Sequence, residues 1–136
     1  MAAAVADQLR EQRVLLRQLP EEPDGFVRFV RAYLSPGHRD DTEGGCPSGA
    51  LLDEPARSSP TIRRAYSAGI LGVADDLAAL LAPDAPATGR RKALGCIAIL
   101  AGTLQLARAI DDPQESATVL AEGQRAISAL LATTEA

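Results

Sequence analysis

Few side chains in this sequence are of a type that does chemistry, and their spacing decides how they are read. Cys46 and Pro47 lie in the run Gly44-Gly45-Cys46-Pro47-Ser48-Gly49, where a thiol at a helix start could be a nucleophile or a metal ligand. A redox pair needs a second thiol at C-x-x-C spacing, and the other cysteine, Cys96, stands fifty positions further on in an apolar run. Cys46 therefore reads as a small, soft side chain facing the core at a helix start, and Cys96 as plain core. The single histidine, His38, is followed by Arg39, Asp40 and Asp41. A lone imidazole beside two acids could hold a divalent ion, but a catalytic dyad needs a positioned second group, and none is near in sequence. The expectation for His38 is a solvated loop, with a hydrogen bond from loop to core as the alternative. Asp75-Asp76 and Asp111-Asp112 diverge as helical neighbours and read as surface and as a helix cap. With no glycine-rich phosphate loop either, the expectation is no enzyme, no metal and no cofactor.

The chain that must position these residues has 136 positions and is 46% hydrophobic, enough for one domain with a real core. Eighteen acidic side chains face 14 basic ones, for a formal net charge of -4, with no block of like charge. That balance argues against autonomous nucleic-acid binding. Aromatic residues make up 3% of the chain and tryptophan is absent, which argues against a stacking platform for bases. Two cysteines are too few for a disulfide framework and fit a reducing compartment. The N-terminal run MAAAVADQLREQRVLL is amphipathic and unlike a signal peptide, so a cytoplasmic location is expected. The most apolar window, Ala93 to Ile110, carries Gln105 and Arg108 and reads as a buried helix of a soluble protein, with no membrane as partner.

Periodicity predicts an all-α chain of about six helices. The first runs from about Ala3 to Gln18 and is stopped by Pro20. The second follows Asp24 as N-cap and sets Phe26, Phe29, Val30 and Tyr33 at i, i+3, i+4, i+7 spacing on one stripe. Residues 35 to 45 read as a loop, and Pro47 and Pro55 bound a short third helix. The fourth opens at Ser59-Pro60 and carries Ile62, Tyr66, Ile70, Val73, Leu77 and Leu81 down one side to about Ala82. The fifth, from about Gly89 to Ile110, is apolar nearly all round and so requires cover on two sides; in a domain this small the second cover is expected to be another subunit. The sixth starts at Asp112-Pro113-Gln114-Glu115, with the pattern of a capping box.

What remains for function is apolar. Phe26, Phe29 and Tyr33 on the second helix and Tyr66 and Ile70 on the fourth offer bulky walls with two hydroxyls, beside small residues of the fifth such as Gly95, Ala98 and Gly102. A filled core is the alternative. The spacings direct Phe29, Tyr33, Tyr66, Ile70 and Ile97 toward one internal cavity, with Tyr33 or Tyr66 as the polar contact. The full candidate ligand-binding set is Phe26, Phe29, Tyr33, Cys46, Tyr66, Ile70, Leu94 and Ile97.

The phrases VRAYLSPGHRDDTEGGCPSGALLDE and GCIAILAGTLQLARAIDDPQESATVL resemble the C-terminal regulatory domain of TetR-family transcriptional repressors, over about residues 20 to 132. The resemblance implies an inducer pocket enclosed by the second, fourth and fifth helices, and a homodimer in which the fifth and sixth helices form a four-helix bundle with their mates. The dimer candidates are Ile99, Gly102, Leu106, Val119, Ala126, Ile127 and Leu130. Residues 1–19 would be the connecting helix and 20–136 the ligand-binding and dimerisation domain, with a small apolar effector as partner. DNA would be contacted only through a helix-turn-helix domain, and no such pattern occurs in the sequence. Pro55 shortens a helix that is longer in relatives, which alters the expected pocket mouth. The alternative function, from another class, is a small helical dimerisation or protein-interaction module with a filled core and no ligand.

Overall fold

A computed structural model describes residues 7, 9–11, 13, 14, 24–41 and 59–133. Among these residues the chain is all-helical. The described residues between 7 and 14 are helical and are followed by α1 (Asp24–Tyr33), α2 (Pro36–Asp40), α3 (Pro60–Leu81), α4 (Pro86–Ala109) and α5 (Pro113–Ala132). The short helix expected after Pro47 lies outside the described residues.

Local chemistry explains most of the boundaries. α3 and α5 each begin with proline at the first turn and a side-chain cap: Ser59 Oγ accepts from the Ile62 amide at 3.4 Å, and Asp112 Oδ1 accepts from the amides of Gln114 and Glu115 at 2.8 and 3.1 Å. α4 begins at Pro86, three residues before the expected Gly89. Its cap residue, Ala85, has no side-chain oxygen to signal the start, and the Gly89 amide already donates to the Ala85 carbonyl at 2.9 Å. The stretch from Ser35 is not simply a loop. Ser35 accepts from the His38 amide at 3.2 Å, and Pro36 opens the single helical turn of α2.

α3, α4 and α5 form the main body, with α4 packed against both of the others. The short connections make consecutive helices antiparallel. α4 and α5 run in a register that sets Gly95 by Leu130, Thr103 by Gly123 and Ala107 by Ser116. At the α3–α4 crossing, a Cβ on Gly89 would sit 2.8 Å from the Ala78 carbonyl oxygen, so only glycine lets these backbones approach so closely. The core between them includes Val73, Leu77, Ala93, Cys96, Leu100, Leu104, Leu120 and Ile127. α1 lies against α5, and the N-terminal helical stretch meets α3, where Leu9 packs onto Gly69 and Arg13 pairs with Asp76 at 2.8 Å.

The stripe predicted on α3 is in place, with Val73 and Leu77 buried and Ile62, Tyr66, Ile70 and Leu81 half-buried. Of the acidic pair that begins its last turns, Asp75 is exposed and bound to Arg90 at 2.6 Å. Asp76 is not surface: its side chain is only 14% exposed, because Arg13 compensates its burial. α4 is long and apolar enough to cross a membrane by length and composition, and 33% of its apolar window is buried inside the fold.

Candidate functional site

The aromatic stripe of α1 forms a run of contacts. Phe26 and Phe29 stack with ring centres 6.1 Å apart, Phe29 and Tyr33 are 5.9 Å apart, and Tyr33 meets the His38 imidazole at 4.6 Å. Phe26 and Tyr33 are buried in the core, while Phe29, Tyr66, Ile70 and Ile97 are half-buried against the same cluster. All six belong to or pack against the one hydrophobic core, but α1 carries its three on the side of α2 and α5, whereas α3 packs on α4. Leu94 is outside that core at 40% exposed, and Cys46 lies outside the described residues.

The dimer candidates divide by position. Gly102, Leu106 and Ala126 are exposed; Ile99, Val119 and Leu130 are half-buried against the core. Ile127, at 2% exposed, is part of the protomer's own core. Along α4, exposed Leu94, Ala98, Gly102 and Leu106 recur every fourth residue and make one outward stripe. A Cβ on Gly102 would meet nothing within 4 Å. Cys96 is fully buried, and burial pushes its thiol up to about 11, partly offset by the charge of Lys92 one turn away. Such a thiol is a core group, not a nucleophile. Among the described residues no three of the His, Cys, Asp and Glu side chains group to hold a metal ion.

Sequence reasoning missed a polar latch that fixes α2. Arg108, in the last turn of α4, donates from Nε to the Arg39 carbonyl at 2.9 Å and from Nη2 to the carbonyls of His38 and Asp41 at 3.1 and 3.4 Å. It thus closes the C-terminal end of α2, where the His38 carbonyl also accepts from the Asp41 amide at 3.2 Å. Its Nη1 is buried without a partner among the described residues. Arg39 donates to Ser116 Oγ at 3.0 Å, and that buried hydroxyl donates to the Ala107 carbonyl at 2.7 Å. His38 is not a solvated side chain: it is half-buried and its Nδ1 bonds the Tyr33 carbonyl at 2.7 Å, the loop-to-core alternative. Gln124 Nε2 donates to the Leu34 carbonyl at 3.3 Å. The one available sequence signal was Ser35-Pro36, the same cap-and-proline pair that marks α3.

Two clefts, each of about 360 Å³, border these elements. One lies beside the latch, between Arg39, Asp40, Arg108, Asp111 and Ser116, with acids and bases in equal number among the described residues. The other lies between α1 and α5, over Val27, Val30, Ile127 and Leu131, with Arg31 and Arg125 among its walls. Neither is lined by the residues of the expected cavity. No family model matches the chain, and no curated protein matches it.

Proposed function

We propose that this chain is the effector-sensing and dimerisation domain of a TetR-like transcriptional repressor, acting in the cytoplasm without catalysis, metal or cofactor. The observation that carries the reading is the outward stripe of α4. This helix packs on α3 and on α5 and still exposes Leu94, Ala98, Gly102 and Leu106, so a third apolar face awaits cover. A second copy suits it by charge. Arg90 and Arg91 stand in the second turn of α4, about 16 Å before the Ala101–Gly102 midpoint at 1.5 Å rise per residue, and Asp111 and Asp112 lie just past its other end. An antiparallel crossing at Gly102 places the arginines of one protomer opposite the aspartates of the other. Val119, Ala126 and Leu130 of α5 extend the same interface toward a four-helix bundle.

In this reading an apolar effector enters between α1, α3 and α4 near Phe29, Tyr33, Tyr66, Ile70 and Ile97, and binding shifts the population between two helix arrangements. The readout on DNA belongs to a helix-turn-helix domain, whose pattern residues 1–136 do not contain, so the chain alone has no sequence-specific DNA affinity. Light scattering at micromolar concentration is expected to give twice the protomer mass. Gly102→Trp is expected to give a folded monomer, and a monomeric wild-type chain refutes the proposal.

A second reading, a dimerisation module with a filled core and no ligand, is favoured by the burial of Phe26 and Tyr33 to 5% and 8% exposure. A thermal-shift screen with small apolar compounds separates the two, since only a sensor gains stability from one of them.

A further inference from the structure

The cleft between α1 and α5 has a chemistry of its own and shares no residue with the expected effector cavity. Its floor is apolar: Val30 and Ile127 are 3% and 2% exposed, flanked by half-buried Val27 and Leu131. Its polar wall carries Arg31, from the last turn of α1, and Arg125, from the middle of α5, and among the described residues no acidic side chain lines it. In a chain of net charge -4, this is a local excess of positive charge over an apolar surface. Arg125 is held by Glu122, one turn earlier on α5, at 2.8 Å, whereas among the described residues Arg31 has no partner. The volume of about 360 Å³ falls at the lower end of small-molecule sites.

We propose that this cleft binds a free small carboxylic acid with an alkyl or aryl body. The body lies over Val27, Val30, Ile127 and Leu131, and the carboxylate bridges Arg31 and Arg125. Apolar burial supplies attraction without direction, and the two guanidinium groups supply charge-assisted hydrogen bonds that fix the orientation. Glu122 competes with the ligand for Arg125. A neutral compound of the same length gains only the floor, and a short carboxylate gains only the rim.

Isothermal titration of the full chain with octanoate, 1-octanol and acetate tests this, with amide chemical shifts in Val27, Val30 and Ser128 locating the ligand. Octanoate is expected to bind at least about tenfold more tightly than either comparator. Arg31→Gln and Arg125→Gln are each expected to weaken octanoate roughly tenfold and leave octanol unchanged. Both side chains are exposed, so circular dichroism is expected to show an intact fold. Glu122→Gln is expected to tighten octanoate by about threefold, an effect that general loosening of the fold cannot produce. The proposal is overturned if octanol matches octanoate, if the arginine variants bind octanoate as the wild type does, or if the shifts map elsewhere. Sedimentation with phosphatidylglycerol vesicles that octanoate fails to displace would assign the cleft to a membrane surface instead.

Discussion

Leu104, Cys96 and Ala93, in the α3–α4–α5 body, are at 0% exposure, and the body is closed by apolar contact with glycines at its tightest crossings. The α1–α2 arm is also apolar along the stripe of α1, but its far end is attached by a few hydrogen bonds, three from Arg108 and one each from Arg39 and Gln124, to backbone or hydroxyl oxygens. The two modes fail differently. Apolar packing is spread over many weak contacts, so damage is graded with the volume removed. A bond from a part-buried guanidinium is lost all at once when that side chain is removed, because no other side chain donates to the Arg39 carbonyl among the described residues.

The contrast is broken most severely by truncation in the body. Leu104→Ala is expected to cost about 3–4 kcal/mol, read as a lowered urea midpoint with unchanged slope. A loss under about 1 kcal/mol would mean that α4 is not tightly held between its neighbours. Next comes the arm. Arg108→Met keeps the aliphatic stem and removes the bonds to His38, Arg39 and Asp41, for an expected cost of about 2–3 kcal/mol. Hydrogen exchange is expected to show protection lost at the amides of Arg39 and Asp41 and kept in the middle of α4 and α5. If both regions lose protection together, they form one cooperative unit and the contrast dissolves.

The smallest effect concerns the buried thiol. Cys96 ionises near 9.0 in an open chain and at about 11 in the fold, because burial disfavours the thiolate. Above pH 9 the unfolded state releases a proton that the folded state keeps, so stability is complete below that pH and declines as pH rises toward 11. The decline is expected to reach about 2 kcal/mol. Cys96→Ala is expected to lack this decline when compared with wild type by urea melts across that window.

The body was legible in the sequence because its signals are local and periodic. Ser59-Pro60 and Asp112-Pro113 mark helix starts by chemistry that acts within one turn, and Ile62 to Leu81 recur at helical spacing. The same logic would have read Ser35-Pro36 as a helix start, but the charged and glycine-rich residues beyond it looked like solvent-exposed loop. The latch left no such trace. Arg108 binds carbonyls of residues 67 to 70 positions away, and every residue has a carbonyl, so no pattern marks the chosen ones. The burial of Asp76 leaves no local trace for a related reason: its partner Arg13 belongs to another helix, 63 positions earlier. The α1–α5 cleft depends on where two helices cross, and Arg31 and Arg125 acquire meaning as a pair only there.

Ser116 bears on how many ways the latch can be arranged. A serine hydroxyl has one hydrogen to give, and Ser116 gives it to the Ala107 carbonyl, so toward Arg39 it can only accept. The guanidinium groups of Arg39 and Arg108 carry their hydrogens at every accessible pH, and the Tyr33 carbonyl can only accept from His38 Nδ1. Each bridging hydrogen in the latch thus has a single assignment. The network has no configurational degeneracy to lose on cooling, and it joins α2, α4 and α5 through one arrangement of its hydrogens.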